Sequence, residues 1–175
     1  MSIGSAGLNS QPRDSRAGDS DNCRVPADAL AFTARWPVRQ YEVDRQGHVN
    51  NAVYLNYAEE LASRHSESIG YGQDWAATQG GTWVIRRNEI TYHSPAQFGD
   101  ELELTVRVEL VKGVRGQRRT TIVLLPEDRL VAEIFTEWVW VRTSNGRPAP
   151  VPRELVDLAA EATAATLLSR RVAGS

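Results

Sequence analysis

Cysteine and histidine are scarce in this chain. Its 175 residues include one cysteine, Cys23, and three histidines. A single cysteine cannot form an internal disulfide, and without cysteine partners it cannot build a cysteine-rich zinc site. The histidines, at positions 48, 65 and 93, have none of the spacings typical of metal ligands. We therefore predict no metal and no cofactor, and a reducing compartment as the natural setting.

Long apolar runs are also missing. No stretch approaches the roughly 18 apolar residues of a membrane-spanning helix, and the N-terminus lacks the basic segment and apolar core of a secretory signal. The 20 basic and 22 acidic residues leave a formal net charge of −2, which provides no general attraction to nucleic acid or to an anionic membrane. The expected location is the cytoplasm, with neither nucleic acid nor membrane as a partner.

The composition divides the chain into three parts. Residues 1–28 have few large apolar side chains and many small or polar ones, so they cannot bury enough surface to offset the entropy of ordering them, and we predict a disordered tail. Residues 29–150 have the alternating patterns of one folded domain of ordinary size. Residues 151–175 are expected to form a short C-terminal helix, opened by Pro152, and a tail.

Five segments of the folded part have the alternation of β-strands. The first contains Pro37, which cannot donate to a ladder and so places that strand, or part of it, at an edge or a bulge. The third alternates strictly between apolar and polar side chains, so one of its faces is buried and the other wet. Short turns join the last four, which makes successive strands antiparallel. The strands are predicted at residues 30–38, 82–93, 101–111, 118–125 and 130–142.

One long helix is predicted between the first strand and the second. Residues 51–69 contain neither proline nor glycine and repeat apolar side chains at helical spacing. Asn50 or Asn51 is the expected N-cap, and Gly70 is a stop signal. His65 falls on the apolar stripe, where we expect a hydrogen-bonded core histidine. One helix and one antiparallel sheet give the α+β class, with the long helix packed on one face of a five-stranded sheet.

The residues that suggest chemistry lie just before this helix. Asp44 stands three residues before Gly47 and shortly ahead of the helix N-terminus. First-turn amides have no internal partner and carry the positive end of the helix dipole, so they can hold a developing oxyanion. A thioester suits such a site, because its thiolate, with a pKa of about 8.5, leaves without a strong acid. Asp44 would attack the thioester carbon or deprotonate a water. From the spacing alone, a plain turn and helix cap is the more common explanation, because turns outnumber active sites.

The sequence around Asp44 resembles a family signature. Residues 44–57 read Asp-x-x-Gly-His-Val-Asn-Asn-x-x-Tyr-x-x-Tyr, which resembles the motif of the hot-dog-fold acyl thioesterases related to 4-hydroxybenzoyl-CoA thioesterase. Residues 90–96 and 99–102 resemble that family's second strand and the turn after it. The likeness runs from about residue 36 to residue 155. It implies a hot-dog thioesterase domain at residues 29–150, of the branch that acts on acyl-CoA or acyl-carrier-protein thioesters in fatty acid or polyketide metabolism.

The resemblance implies a role for each matching residue. Asp44 corresponds to the catalytic carboxylate, and Asn51 to the residue whose backbone N–H polarises the thioester carbonyl. Glu42 stands where many members carry an aspartate, which is a conservative departure. The resemblance also implies a homodimer or a tetramer of dimers, with active sites at the subunit interface. The substrate pocket would be lined by Gly47, His48, Asn50 and Tyr54.

Two further groups of side chains are candidates for substrate contact. Trp83 would line an acyl channel, although tryptophans in strands more often pack in a core or a dimer contact. The basic residues around the turn near residue 113 would bind the phosphates of CoA or the acidic face of a carrier protein, with a solvated turn as the equal alternative. The arginines in question are Arg115, Arg118 and Arg119.

Two rival functions fit the same fold. An acyl-thioester dehydratase or hydratase would need a histidine and an acid acting across the pocket, and only His48 with Asp44 offers them. A non-catalytic protein would bind acyl-CoA or a carrier protein without hydrolysis. Glu59 lies roughly 12 Å beyond Asn51 along the helix, at about 1.5 Å per residue, too far to reach a carbonyl held there. Hydrolysis through Asp44 is the function that the sequence predicts.

Overall fold

The structure, a computed structural model, describes residues 29–173, with side chains described as far as residue 166. The tail predicted for residues 1–28 lies outside the described residues, as does Cys23. In the described part the strands are β1 (Ala31–Pro37), β2 (Gly81–Tyr92), β3 (Glu101–Lys112), β4 (Arg115–Leu125) and β5 (Arg129–Arg142). The α-helices are α1 (Val53–Ser68), α2 (Gln73–Thr78) and α3 (Arg153–Ala173).

The strands form one antiparallel sheet in the order β1-β3-β4-β5-β2. β1 lies at an edge, as Pro37 predicts, and Pro37 pairs with Glu101 at the end of β3. Tight turns join β3 to β4 and β4 to β5. The connection between β2 and β3 departs from the hairpin expected, because residues 93–100 carry the chain from one edge of the sheet to a strand beside the other. On the way they contact the segment before α1, where Val49 N–H donates to Ala96 O over 2.8 Å.

The core lies between α1 and the inner face of the sheet. Leu61 of α1 and Leu104 of β3 are fully buried, and the apolar face of β3 meets the apolar stripe of α1 as the alternation predicts. A register shift between Val108 and Leu110 leaves the end of β3 only half-buried. His65 is also fully buried, and its Nε2 lies 3.1 Å from Ala29 O. The expectation of a hydrogen-bonded core histidine is confirmed.

The two ends of α1 depart differently from the sequence pattern. The helix begins at Val53, and its N-cap residue is Ala52, so neither Asn50 nor Asn51 is the N-cap. Asn50 supports the helix from one turn earlier, because its Oδ1 accepts the Ala52 N–H over 2.9 Å and its carbonyl accepts the Val53 N–H over 2.9 Å. At the other end Gly70 adopts a φ of 81° and stops the helix, as predicted.

The remaining helices were incompletely predicted. The sequence pattern did not reveal α2, a helix of six residues that places Trp75 against Trp140 with ring centroids 5.8 Å apart. The helix α3 has 21 residues rather than the short length expected, because it is rich in Ala, Leu and Glu, which have a high helix propensity. Trp75 Nε1 donates to Glu154 Oε1 over 2.6 Å and so joins α2 to α3.

Candidate active site

An open cleft of about 360 Å³ lies where the N-terminal end of α1 meets the end of β2. Four of the site residues predicted from the sequence line it, namely Asp44, His48, Asn51 and Tyr54. The other lining residues are Gln46, Val49, Tyr92, His93, Ser94 and Pro95.

Asp44 begins a tight turn that ends at His48. Its N–H donates to the His48 carbonyl over 2.8 Å. Its Oδ1 accepts the N–H of Gln46 over 2.8 Å and that of His48 over 3.4 Å. One carboxylate oxygen is therefore held by the turn, while Oδ2 accepts no hydrogen bond from the part of the chain that the structure describes. The side chain is exposed, so this free oxygen is accessible at the cleft.

Gly47 serves the backbone of this turn. Its φ is 80°, in the region that disfavours a side chain. A Cβ at this position would meet no atom within 4 Å. The backbone conformation of the turn is therefore what favours glycine at this position.

The peptide group at Asn51 is held in place with its N–H free. Within residues 29–173 the Asn51 N–H donates to no acceptor. The preceding N–H, of Asn50, donates to Glu42 O over 2.9 Å, and the Asn51 carbonyl accepts the Tyr92 hydroxyl over 2.9 Å. The free donor lies two residues before the start of α1, where the helix dipole is positive. Such a fixed, unpaired donor is suited to stabilise an oxyanion.

Glu42 is a buried carboxylate beneath the Asp44 turn, with 5% of its surface exposed. It accepts hydrogen bonds from the Tyr57 hydroxyl (2.7 Å), the Arg39 N–H (2.7 Å) and the Arg39 guanidinium (3.1 Å). Burial raises the pKa of Tyr57, and the bond to Glu42 and its charge raise it further, so the hydroxyl stays protonated and continues to donate. Glu42 thereby fastens the segment that carries Asp44 to α1.

The other predicted pocket residues take different positions. His48 is half-buried in the cleft and pairs with Gln97 in an isolated β-bridge. Tyr54 is buried and meets Tyr92 edge-on, with ring centroids 5.6 Å apart. Burial is the main cause that raises the pKa of the Tyr54 hydroxyl. Gly47 and Asn50 do not line the cleft. Both instead shape the backbone next to residues that do.

The end of β2 contributes cleft residues to which the sequence analysis gave no role. Tyr92, His93, Ser94 and Pro95 all line the cleft. His93 Nε2 lies 3.0 Å from Glu133 Oε2 on β5. The signal present in the sequence was the resemblance of residues 90–96 to a family strand and turn. Only the crossing of residues 93–100 past the end of α1 shows that these side chains share a cleft with Asp44.

Trp83 lies away from this cleft. It lines a second cavity, of about 300 Å³, bordered by α1, α2, α3 and the sheet. Its ring packs edge-on against Trp140 with centroids 5.3 Å apart. The structure therefore does not bring Trp83 and Asp44 together in one pocket, because they stand at opposite ends of α1.

The three candidate arginines do not form one cluster. Arg118 points inward, where its Nη1 donates to Ala62 O over 2.7 Å and its Nη2 to Ser66 Oγ over 2.9 Å. Arg119 points outward, pairs with Glu109 over 2.6 Å and lies over the ring of Phe135. Arg115 has its Nη1 3.7 Å from the Glu137 carboxylate. Because side chains alternate along a strand, the neighbours Arg118 and Arg119 cannot contact the same phosphate group.

The described part of the chain contains neither a metal-ligand cluster nor a membrane-spanning helix. Among residues 29–173, no three His, Cys, Asp or Glu side chains are placed to hold a metal ion. None of the helices in that range is long and apolar enough to cross a membrane.

Comparison with known proteins identifies relatives of this chain. The family model described as the thioesterase-like superfamily matches residues 38–159. The acyl-acyl carrier protein thioesterase ATL3 of Arabidopsis thaliana chloroplasts is 31% identical over 118 residues, which are 67% of this chain and 62% of that protein. The long-chain acyl-CoA thioesterase FadM of Escherichia coli is 30% identical over 118 residues, 67% of this chain and 89% of that protein. The chain spans about three fifths of the plant relative's length.

A solved structure shares the fold. Slr0204, a 1,4-dihydroxy-2-naphthoyl-CoA thioesterase from Synechocystis, superposes with a TM-score of 0.65 over 70% of this chain and 90% of that one, at 20% identity. The α+β hot-dog fold expected from the sequence, a long helix on a five-stranded antiparallel sheet, is confirmed.

Proposed function

Since the chain belongs to the thioesterase-like superfamily, we propose that it hydrolyses an acyl thioester of coenzyme A or of an acyl carrier protein. The relatives named above include one thioesterase for each of these carriers. One observation carries the proposal. The free carboxylate oxygen of Asp44 and the unpaired N–H of Asn51 belong to residues that line the same open cleft.

The proposed reaction needs only an acceptor for a proton and a donor for an oxyanion. The thioester carbonyl oxygen accepts the Asn51 N–H, which polarises the carbonyl carbon. Asp44 takes a proton from a water molecule while the water oxygen attacks that carbon. The C–S bond then breaks and releases a carboxylic acid and a thiolate. The proton held by Asp44 passes to the thiolate or to solvent, which restores the carboxylate. Direct attack by Asp44, through a mixed anhydride that water then cleaves, uses the same two groups.

The surroundings of the two groups support the proposal. The turn amides of Gln46 and His48 hold only Oδ1 of Asp44, which leaves Oδ2 free to accept a proton. Glu42 O and the Tyr92 hydroxyl fix the backbone on either side of the Asn51 N–H. A donor that is already in place needs no reorganisation during the reaction, and this is the main source of its effect.

A thiol-release assay with a panel of acyl-CoA and acyl-carrier-protein thioesters tests the proposal. The wild-type chain should release thiol from at least one of them, and Asp44→Ala should lower turnover by about 100-fold or more. Appearance of an enoyl or hydroxyacyl thioester instead would favour a dehydratase or hydratase. Saturable binding of a thioester with no thiol released would favour a non-catalytic binding protein.

We also propose that the chain forms a homodimer, or a tetramer of dimers, through β2. This strand ends the sheet, so one of its sides has no partner strand among the described residues. It is 12 residues long, and its Val84 and Ile85 are 42% and 38% exposed. A long edge strand that exposes apolar side chains is a template for pairing with a second copy.

Light scattering coupled to size exclusion tests this assembly. The wild type should elute at twice the 19.4 kDa chain mass or more. Val84→Lys should shift it toward the monomer, whereas Glu127→Lys, in the exposed turn between β4 and β5, should not. A monomeric wild type would rule out the dimer and leave the hydrolysis test unaffected.

The cytoplasmic location and the role in fatty acid or polyketide metabolism stay predictions, to be tested by cell fractionation and by the acyl preference of the assay.

A further inference from the structure

The second cavity, of about 300 Å³, shares no lining residue with the Asp44 cleft. It is bordered by the second half of α1, by α2 and α3, and by the inner face of the sheet. Its volume is at the small end of the range typical for ligand pockets. Apolar side chains form much of its wall, among them Trp83, Leu110, Leu155 and Leu158.

Arg118 brings a positive charge to the wall of this cavity. Its guanidinium is half-buried and donates to two neutral acceptors on α1, the carbonyl of Ala62 and the hydroxyl of Ser66. It forms no ion pair with any side chain that the structure describes. Burial lowers the pKa of Arg118 to about 10, so the group is still charged at neutral pH. A charge withdrawn from water without a counter-ion is costly, and an anionic ligand would remove that cost.

Trp138 adds a second donor beside Arg118. Arg118 of β4 lies opposite Thr136 of β5, so Trp138, two residues further along, is its diagonal neighbour on the same inner face. Trp138 also lines the cavity, and its Nε1 is buried with no acceptor among the described residues. A buried donor normally has a partner. Arg118 and Trp138 thus place two neighbouring hydrogen-bond donors on one wall of the cavity. A ligand with acceptor oxygens would satisfy both donors.

The two carboxylates that line the cavity do not neutralise Arg118. Glu59 and Glu67 are both exposed to solvent, and neither forms an ion pair with Arg118 in the described structure. The cavity therefore has a part suited to bind an anion, at the sheet, and an apolar part, at α3. This division matches a molecule with a carboxylate head and a hydrocarbon body.

We propose that this cavity binds an amphipathic monocarboxylate, with its head at Arg118 and Trp138 and its aliphatic chain against the apolar side chains of α3. The site is distinct from the Asp44 cleft and requires none of its residues. Carboxylic acids are also the products of the hydrolysis proposed above. If that proposal holds, the site would bind the class of acid that the protein itself releases. Binding itself does not depend on hydrolysis.

Tryptophan fluorescence provides the test, because Trp83 and Trp138 line the cavity. The full chain is titrated with sodium decanoate and, separately, with decan-1-ol, which has the same chain length without the charge. We expect saturable binding of decanoate that is about tenfold or more tighter than that of the alcohol. Arg118→Met should weaken decanoate binding to the level of the alcohol. Arg119→Met, the neighbouring arginine on the outer face, is the matched control and should leave it unchanged.

Two further variants keep the test decisive if Arg118→Met does not fold. Ala159→Phe fills the cavity from α3 without touching the Arg118 hydrogen bonds, and it should abolish binding of both ligands. Asp44→Asn should bind decanoate as the wild type does. The proposal is overturned if no saturable binding occurs, if the alcohol binds as tightly as the acid, if Ala159→Phe binds normally, or if Asp44→Asn loses binding. The last result would move the acid into the Asp44 cleft and leave the hydrolysis proposal standing.

Discussion

The hydroxyl of Tyr57 on α1 donates a 2.7 Å hydrogen bond to the buried carboxylate of Glu42. The backbone carbonyl of the same glutamate accepts the N–H of Asn50 over 2.9 Å. Glu42 thus connects the two halves of the candidate active site, since Asp44 follows it by two residues and Asn51 follows Asn50. The geometry of both reacting groups rests on this buried carboxylate.

Loss of the Tyr57 hydroxyl should destabilise the fold. Tyr57→Phe leaves a buried carboxylate with one donor fewer, and a hydrogen bond to a charged group contributes about 1.5–3 kcal/mol. We expect the free energy of unfolding, measured with urea, to fall by about 2 kcal/mol. Tyr41→Phe, at a position that is 78% exposed, is the control and should change it by no more than about 0.5 kcal/mol. Equal effects of the two changes would contradict the role given to Tyr57.

The same tyrosine predicts a dependence on alkaline pH. The pKa of Tyr57 is raised above its ordinary value of 10.0, by burial and by Glu42. Its contribution to stability is therefore fully present below about pH 10 and is lost as the pH rises toward its folded-state pKa. The wild type should lose stability more steeply above about pH 10 than Tyr57→Phe does. If the wild type and Tyr57→Phe give parallel curves of unfolding free energy against pH, the pKa of Tyr57 does not differ between the folded and unfolded states, and the prediction fails.

Replacement of Gly47 should disturb the Asp44 turn through its backbone. Its φ of 80° is unfavourable for alanine, while the space for a Cβ is open. We expect Gly47→Ala to cost about 1 kcal/mol and to lower turnover because Asp44 is displaced. Gly47→Asn should be milder on both counts, since asparagine tolerates this conformation better than other side chains. If alanine and asparagine act alike, the backbone argument fails.

The Tyr92 hydroxyl should affect turnover more than stability. It is part of an exposed side chain and holds the carbonyl of Asn51 over 2.9 Å. Tyr92→Phe should change the unfolding free energy by no more than about 0.5 kcal/mol. We expect kcat to fall by about fivefold, equivalent to about 1 kcal/mol, because the backbone that presents the Asn51 N–H is held less firmly. A change in KM with kcat preserved would show that Tyr92 contacts bound substrate rather than positioning Asn51.

Local periodicity was sufficient to predict much of the fold. The stripe of α1 and the alternation of β3 follow directly from which side chains are apolar, and Pro37 correctly placed β1 at an edge. The grouping of Asp44 with Asn51 also followed, because both lie within a few residues of one helix end. These features depend on neighbours in the sequence, which is where single-sequence patterns carry information.

Features set by distant contacts were not predictable in this way. Alternation indicates that Arg118 and Arg119 face opposite sides of the sheet, but not which of them lies against α1. The pairing of β2 with β5 rather than with β3 is set by tertiary contacts. This pairing brings His93 to the Asp44 cleft. The position of Trp83 relative to the Asp44 cleft was not predictable for the same reason, because its surroundings are built by α2 and α3.

The most direct test of the proposed chemistry is turnover by Asp44→Asn. The asparagine oxygen can still accept the Gln46 N–H, so the turn is kept while the proton acceptor is lost. With the thioester that the wild type hydrolyses fastest, we expect kcat to fall by about 100-fold or more, with an unchanged melting temperature. Asp157→Asn, on α3, a helix that contributes no residue to the cleft, should keep full activity. Near wild-type thiol release by Asp44→Asn would contradict the central role of this carboxylate.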